Sequence, residues 1–221
     1  MIFPPSILST AYTDCGEWGL APLFKNAIKD GILEPNDCKY FQVFTIPNAP
    51  SSLNFNCPRV YSVPEINPLN PIEISNALIC ARKSVLRIAE FCKKYFKGFE
   101  HAYISNIADA LGVRVSRRIK GEYVYTADDL KTGRKFKNPV LVGNYPIDIH
   151  SNKDGESVLE QIMQDYELPV EALHSADIGN LYVAGRCLSA DFEAQAALRI
   201  QPACFSMGEG VAKHIKKLCN I

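Results

Sequence analysis

A chain of 221 residues is long enough for one large domain or two small ones, with a sizeable core. Its 47% apolar and 22% charged residues are those of an ordinary soluble globular protein. Lys plus Arg and Asp plus Glu balance at 24 each, so no overall field draws nucleic acid or an anionic membrane. The basic clusters (Arg114, Arg117, Arg118 and Lys120; Lys213, Lys216 and Lys217) are short, which leaves a nucleic-acid role little support.

Met1-Ile-Phe-Pro-Pro has no basic n-region and its prolines interrupt any apolar h-region, so no secretory signal is expected. No apolar run approaches the roughly 18 residues that span a bilayer, and a cytoplasmic location is expected. The eight cysteines contain no Cys-x-x-Cys and no zinc or iron–sulfur spacing, so free, buried thiols in a reducing compartment are expected and no metal site is.

In chain order, a short helix is predicted around Leu20–Lys29. Tyr40 to Ile46 alternates and is rich in aromatic and β-branched residues, the pattern of a strand. Pro47 to Ser52 is turn chemistry, and Leu53 to Val63 reads as a second strand pairing antiparallel with the first. Asn67-Pro-Leu-Asn-Pro71 punctuates the chain and opens a helix over Ile72–Tyr95, with Ile74, Leu78, Ala81, Val85, Ile88 or Ala89, and Cys92 on the apolar face. Gly112 to Tyr125 reads as a strand entering and leaving a sheet, and Asp128 and Asp129 as the opening of a turn. Lys135 to Asn138 is another turn, Val140–Val142 and Tyr145–His150 are short extended pieces, and Ser151 to Glu156 is a polar loop. Leu181 to Ala184 reads as a buried strand that stops at Gly185, and Pro202 stands where a last helix begins. A strand ending in glycine, followed by a helix rich in small residues, is the geometry that cradles a nucleotide or a flavin ring. It also occurs as plain packing in many α/β proteins.

Three segments carry more information than those patterns. They are Gly112-Val-Arg114-x-x-Arg117-Arg118-Ile-x-Gly121-Glu-Tyr123, Tyr145-Pro-Ile-Asp148-Ile-His150 and Val183-Ala-Gly185-Arg186-Cys-x-Ser189-Ala190. In this order and spacing the chain, from about Phe41 to Lys217, resembles the carboxyl-terminal half of bacterial FAD-dependent oxidoreductases. Those are flavoproteins with a glutathione-reductase-like dinucleotide fold, related in name to a heterodisulfide reductase flavin subunit. The resemblance implies an α+β or α/β fold of two parts. Residues 1–175 would be the remainder of a substrate domain, a mixed or antiparallel sheet with one long helix. Residues 176–221 would be the carboxyl-terminal strand–helix part of a Rossmann-like FAD-binding domain.

The resemblance further implies FAD as cofactor and hydride transfer from a small-molecule substrate. The family's Gly-x-Gly-x-x-Gly unit has no counterpart here: Gly208-Glu-Gly210 is followed by Lys213 where the third glycine belongs. The chain thus resembles a truncated or split form that needs a missing amino-terminal FAD-binding half. The alternative is a non-catalytic remnant or interaction module that binds no flavin by itself.

Carried over residue by residue, Gly185, Arg186 and Ser189 fall on the turn that contacts the FAD diphosphate and ribityl chain. Gly208, Glu209 and Gly210 fall on the last flavin contact, where a helix amino terminus meets the ring. Glu209 departs from the family's usual glutamine and alanine there, and a carboxylate would oppose stabilisation of a reduced flavin. Arg199 pairs either with an acidic group nearby or with the flavin edge. Asp148 and His150 alternate on one side of an extended segment opposite Ile147 and Ile149, either lining the substrate face, with His150 as acid/base, or fixing a turn. Arg114 and Arg117 either bind an anionic substrate or brace the sheet.

Overall fold

A computed structural model describes residues 20–38, 41–60, 66–150 and 157–220, and the chain divides into two units between Gly112 and Val113. The expected loop 151–156 and the far end of the second expected strand lie outside the described residues.

In the first unit, Pro22 sits in the first turn of α1 (Ala21–Lys29), where its missing N–H costs no hydrogen bond. Gly31, at φ +71°, breaks the chain after the helix. A 3-10 turn (Pro35–Cys38) then carries Asp37 inward. Strands β1 (Val43–Thr45) and β2 (Leu53–Phe55) pair antiparallel in the register Val43↔Phe55, as expected, but both are shorter than expected, and residues 56–60 do not continue the second.

Helix α2 (Pro71–Tyr95) begins where the proline punctuation places it. The Asn70 side-chain oxygen accepts from the amides of Ile72 (3.0 Å) and Glu73 (3.4 Å), and Glu73 returns a carboxylate to Asn70 Nδ2 at 2.7 Å. Its buried positions are Ala77, Ser84, Ile88, Phe91 and Cys92, a stripe turned about one residue from the expected one. The cause is polar. Buried Asp37 accepts from the Ser84 hydroxyl, from Arg87 Nε at 2.7 Å and from Arg87 Nη2 at 2.9 Å, which rotates this face of the helix toward the 3-10 turn. Phe91 then packs edge-on against Phe41 and Phe96, with centroids 6.2 and 5.2 Å apart.

The second unit shares one core across the expected boundary at 175/176: Tyr125, Leu168 and Leu173 from one side pack with Leu188, Leu198 and Met207 from the other. Gly112–Tyr125 does not form the expected strand. It runs irregularly and is stitched to residues 171–191 by single bonds, among them Ile119 N–H to the Cys187 carbonyl and Tyr125 N–H to the Ser189 carbonyl. Asp128 and Asp129 open a helix rather than a turn, α3 (Ala127–Thr132). Thr126 and Asp129 form a reciprocal capping box, and Gly133 closes the helix in the left-handed conformation.

Strand β3 (Pro139–Gly143) pairs antiparallel with β6 (Tyr166–Pro169), and β4 (Ile147–His150) with β5 (Ser157–Glu160). The fold is therefore mixed α and β with small antiparallel ladders. Ile147 is buried and Ile149 packs beside the core, whereas Asp148 is half-buried and the His150 side chain lies outside the described residues.

Leu181–Ala184 is not a buried strand: Leu181 and Ala184 are exposed, and the segment forms only an isolated antiparallel bridge, Tyr182 to His174. Ser175 N–H bonds the Leu181 carbonyl, Leu181 N–H bonds Ile178, and only Val183 N–H reaches back to Leu173. Helices α4 (Phe192–Leu198) and α5 (Gln201–Cys219) complete the unit, the second with Pro202 in its first turn as expected. No helix among the described residues is long and apolar enough to cross a membrane.

Asp191 joins two of these helices. Its Oδ1 accepts from Ala194 N–H at 2.7 Å, capping α4, and its Oδ2 accepts from Ala127 N–H at 2.8 Å, at the first turn of α3. Asp191→Ala should cost about 2 kcal/mol in urea unfolding, one cap's worth from each helix, and Asp191→Asn about half of that.

The turn at 175–181 is closed by His174, whose ring stacks on Tyr182 with centroids 4.3 Å apart. Its Nε2 lies 2.9 Å from the Gly179 carbonyl and its Nδ1 3.1 Å from the Glu122 carboxylate. Both partners are acceptors, an arrangement that favours the doubly protonated ring. The Gly179 carbonyl chiefly, then Glu122, raises its pKa against the opposing effect of burial. A folded-state pKa above the unfolded value of about 6.5 gives stability that is full below that pH and lost as pH rises through the folded value. Thermal unfolding should therefore show a stability decrease from about pH 6 upward, and His174→Gln should flatten it.

Candidate functional site

Gly185 carries a φ of +95°, a conformation reserved for glycine, and a Cβ there would lie 3.8 Å from Cys204 Sγ with no closer neighbour. Its N–H points to Met207 Sδ at 3.4 Å, so the turn seats on the first two turns of α5. Cys204 Sγ lies 3.5 Å from the Arg199 carbonyl. Burial chiefly raises the pKa of this thiol, against the lowering effect of the Arg186 guanidinium.

Arg199 closes α4 and donates from Nη2 to the Asp148 carbonyl at 2.7 Å, with the Asp148 carboxylate 3.5 Å away. Arg199 therefore pairs with a nearby acid, Asp148. The His150 side chain lies outside the described residues, and its backbone ends β4 opposite Ser157.

Arg186 is exposed and makes no ion pair among the described residues; its Nη1 donates to the Val113 carbonyl. Arg114 joins the same corner through its main chain, its carbonyl accepting from Gln195 Nε2 at 3.2 Å. Arg117 is exposed, and Arg118, not singled out from the sequence, is the brace: its Nη1 holds the Ala190 carbonyl at 2.7 Å. Ser189 is buried, its side chain against Gly121. The structure thus brings together Gly185, Arg186, Arg199, Asp148 and the Arg114 backbone.

Gly208, Glu209 and Gly210 are placed elsewhere, in the interior of α5, where backbone amides bond within the helix. Glu209 pairs with Lys213 on the exposed side, about 12 Å along the axis from Gln201. Its carboxylate is therefore not at the helix start, where it would oppose an electron-rich ligand. Gly210 has a packing reason: a Cβ there would stand 2.6 Å from Val140 Cβ on β3.

The start of the helix is Gln201-Pro202-Ala203, after Ile200, which offers no capping side chain. That leaves the partial positive pole of a 19-residue helix uncapped beside Gly185. The sequence placed the helix start at Pro202 but sought the ligand contact at the later glycines, which lie inside the helix.

These donors suit a phosphate and the electron-rich side of a flavin. The residues present fit that part of an FAD site, with Arg186 and the first turn of α5 as the holding groups. No Gly-x-Gly-x-x-Gly occurs in the 221 residues. Among the described residues no group of three His, Cys, Asp or Glu is arranged to hold a metal ion.

Two substitutions separate packing from ligand roles in α5. Gly210→Ala should lose about 1–3 kcal/mol of stability against Val140, whereas Gly208→Ala, with nothing within 4 Å, should gain about 0.5–1 kcal/mol from helix propensity. Chemical unfolding of both variants checks the pair.

No curated protein and no solved structure matches the chain. The model of one protein family, described as FAD dependent oxidoreductase, matches residues 17–216, nearly the whole chain. The chain belongs to the FAD-dependent oxidoreductase family.

Proposed function

We propose that this chain forms the ring-side and diphosphate-side part of an FAD site in an oxidoreductase acting on a small-molecule substrate. The observation that carries the reading is the left-handed Gly185, followed by an arginine with no ion pair among the described residues, set against the uncapped start of α5 in a member of this family. When bound, FAD supplies a hydride acceptor.

The chain's own residues hold and orient. The Arg186 guanidinium offers a planar pair of donors to a phosphate, and the first turn of α5 offers its positive pole to the ring. Arg199 fixes Asp148 on β4, and His150, two residues on, is the proposed group that takes or gives the proton. Arg117 is the proposed contact for an anionic substrate, with Arg114 held through its main chain. Gly208 and Gly210 are not needed for this reading. A further segment bearing the Gly-x-Gly-x-x-Gly turn would complete the pyrophosphate cradle. The Rossmann-like and glutathione-reductase-like relationship, the split or truncated form and a cytoplasmic setting belong with this proposal.

The second reading is a non-catalytic module that binds no flavin alone. It is favoured by the packing explanation of Gly210, which removes the one Gly-x-Gly in the chain from the ligand side.

A visible absorption spectrum of the purified chain, after incubation with FAD and desalting, decides between them. Retained flavin absorbance, lost in Arg186→Ala, is the result expected from the first reading. A colourless wild-type chain would overturn it for the chain alone and leave the second.

A further inference from the structure

Gln195 is fully buried in α4 and works at the same corner. Its Nε2 donates to two carbonyls, those of Arg114 and Arg186, each at 3.2 Å. Arg186 returns a bond of its own, from Nη1 to the Val113 carbonyl, so that residues 113–114 and 186 are clasped from both directions. The amide orientation follows from the partners. Both are carbonyl oxygens, and the reversed amide would set three oxygens together. Oε1 therefore faces away from them, and it has no hydrogen-bond partner among the described residues.

A buried acceptor left unpaired costs stability, and a methionine of similar volume would fill the same space without it. The amide is thus a poor packing choice and a good way to hold two main-chain carbonyls in register. Neighbouring bonds fix other points of the turn: Leu188 N–H to the Gly185 carbonyl and Ile119 N–H to the Cys187 carbonyl. Only Gln195 holds the Arg186 carbonyl among the described residues.

We propose that Gln195 is a positioning residue for the cofactor turn: by tying the Arg186 main chain to Arg114, it presents the Gly185 backbone and the Arg186 guanidinium to the diphosphate of a bound flavin dinucleotide. The inference rests on the FAD reading above.

The test uses Gln195→Met and Gln195→Glu, with Arg118→Ala as a variant that breaks a neighbouring bond between the same two stretches, to the Ala190 carbonyl, and leaves the Arg186 carbonyl untouched. FAD affinity is read from flavin fluorescence, and amide hydrogen exchange is followed over residues 113–119 and 185–189 without cofactor. Gln195→Met should weaken FAD binding about tenfold and speed exchange in both segments. Gln195→Glu should bind nearly as wild type at low pH, where its protonated carboxyl donates to one carbonyl, and lose affinity as that carboxyl ionises. Arg118→Ala should lower the unfolding temperature and leave FAD affinity unchanged.

If Gln195→Met affects FAD binding no more than Arg118→Ala, and Gln195→Glu shows no pH step, Gln195 only packs and the inference fails. If the wild-type chain binds no FAD, the failure is that of the proposed function. The clasp is then judged on exchange alone: faster exchange in both segments of Gln195→Met supports it, and unchanged exchange overturns it.

Discussion

The second unit depends on one carboxylate. Asp191 caps α4 with one oxygen and the first turn of α3 with the other, so two helices 64 residues apart in the chain start from the same point. Tyr125 and Ser189–Asp191 exchange main-chain bonds beside it, and the buried Tyr125 ring packs into the core that this junction closes. Because both helix starts are held there, the end of α4 is set as well. Arg199 at that end reaches Asp148, and α5 departs directly after it. The corner formed by Gly185, Arg186 and the start of α5 thus inherits its geometry from a polar junction rather than from a continuous sheet.

That corner also shows how glycines in one chain serve opposite ends. Gly185 takes a backbone conformation that a side chain would strain, although a Cβ there would meet only Cys204 Sγ, at 3.8 Å. Gly210 sits in an ordinary helix, and its missing Cβ lets α5 close on Val140. Only the first is a property a ligand could use. Glu209 loses its significance for the same reason: it lies well along the helix and pairs with Lys213.

The first unit is organised differently. Asp37 is buried and accepts from the Ser84 hydroxyl and two nitrogens of Arg87, bonds that compensate the desolvation of its charge. Around it, Phe41, Phe91 and Phe96 interlock edge-on, and α2 supplies the long rigid element.

Local chemistry was legible in the sequence. Asn70 and Pro71 announce α2, Pro202 announces α5, and the alternation from Ile147 to His150 places β4, because capping, proline geometry and strand periodicity act between near neighbours. The three spaced motifs, too, carried the family without any coordinates. What only the tertiary structure decided were pairings between distant residues. Ser84 is buried beside Asp37 and donates to it, Leu181–Ala184 forms only a single bridge to His174 rather than a strand, and Asp129 opens a helix whose start is held by Asp191. Gln195, one small-helix residue among alanines, gains its meaning only when the carbonyls of Arg114 and Arg186 meet it. A polar group's worth is set by the partner that burial brings to it, and no spacing along the chain reveals that partner.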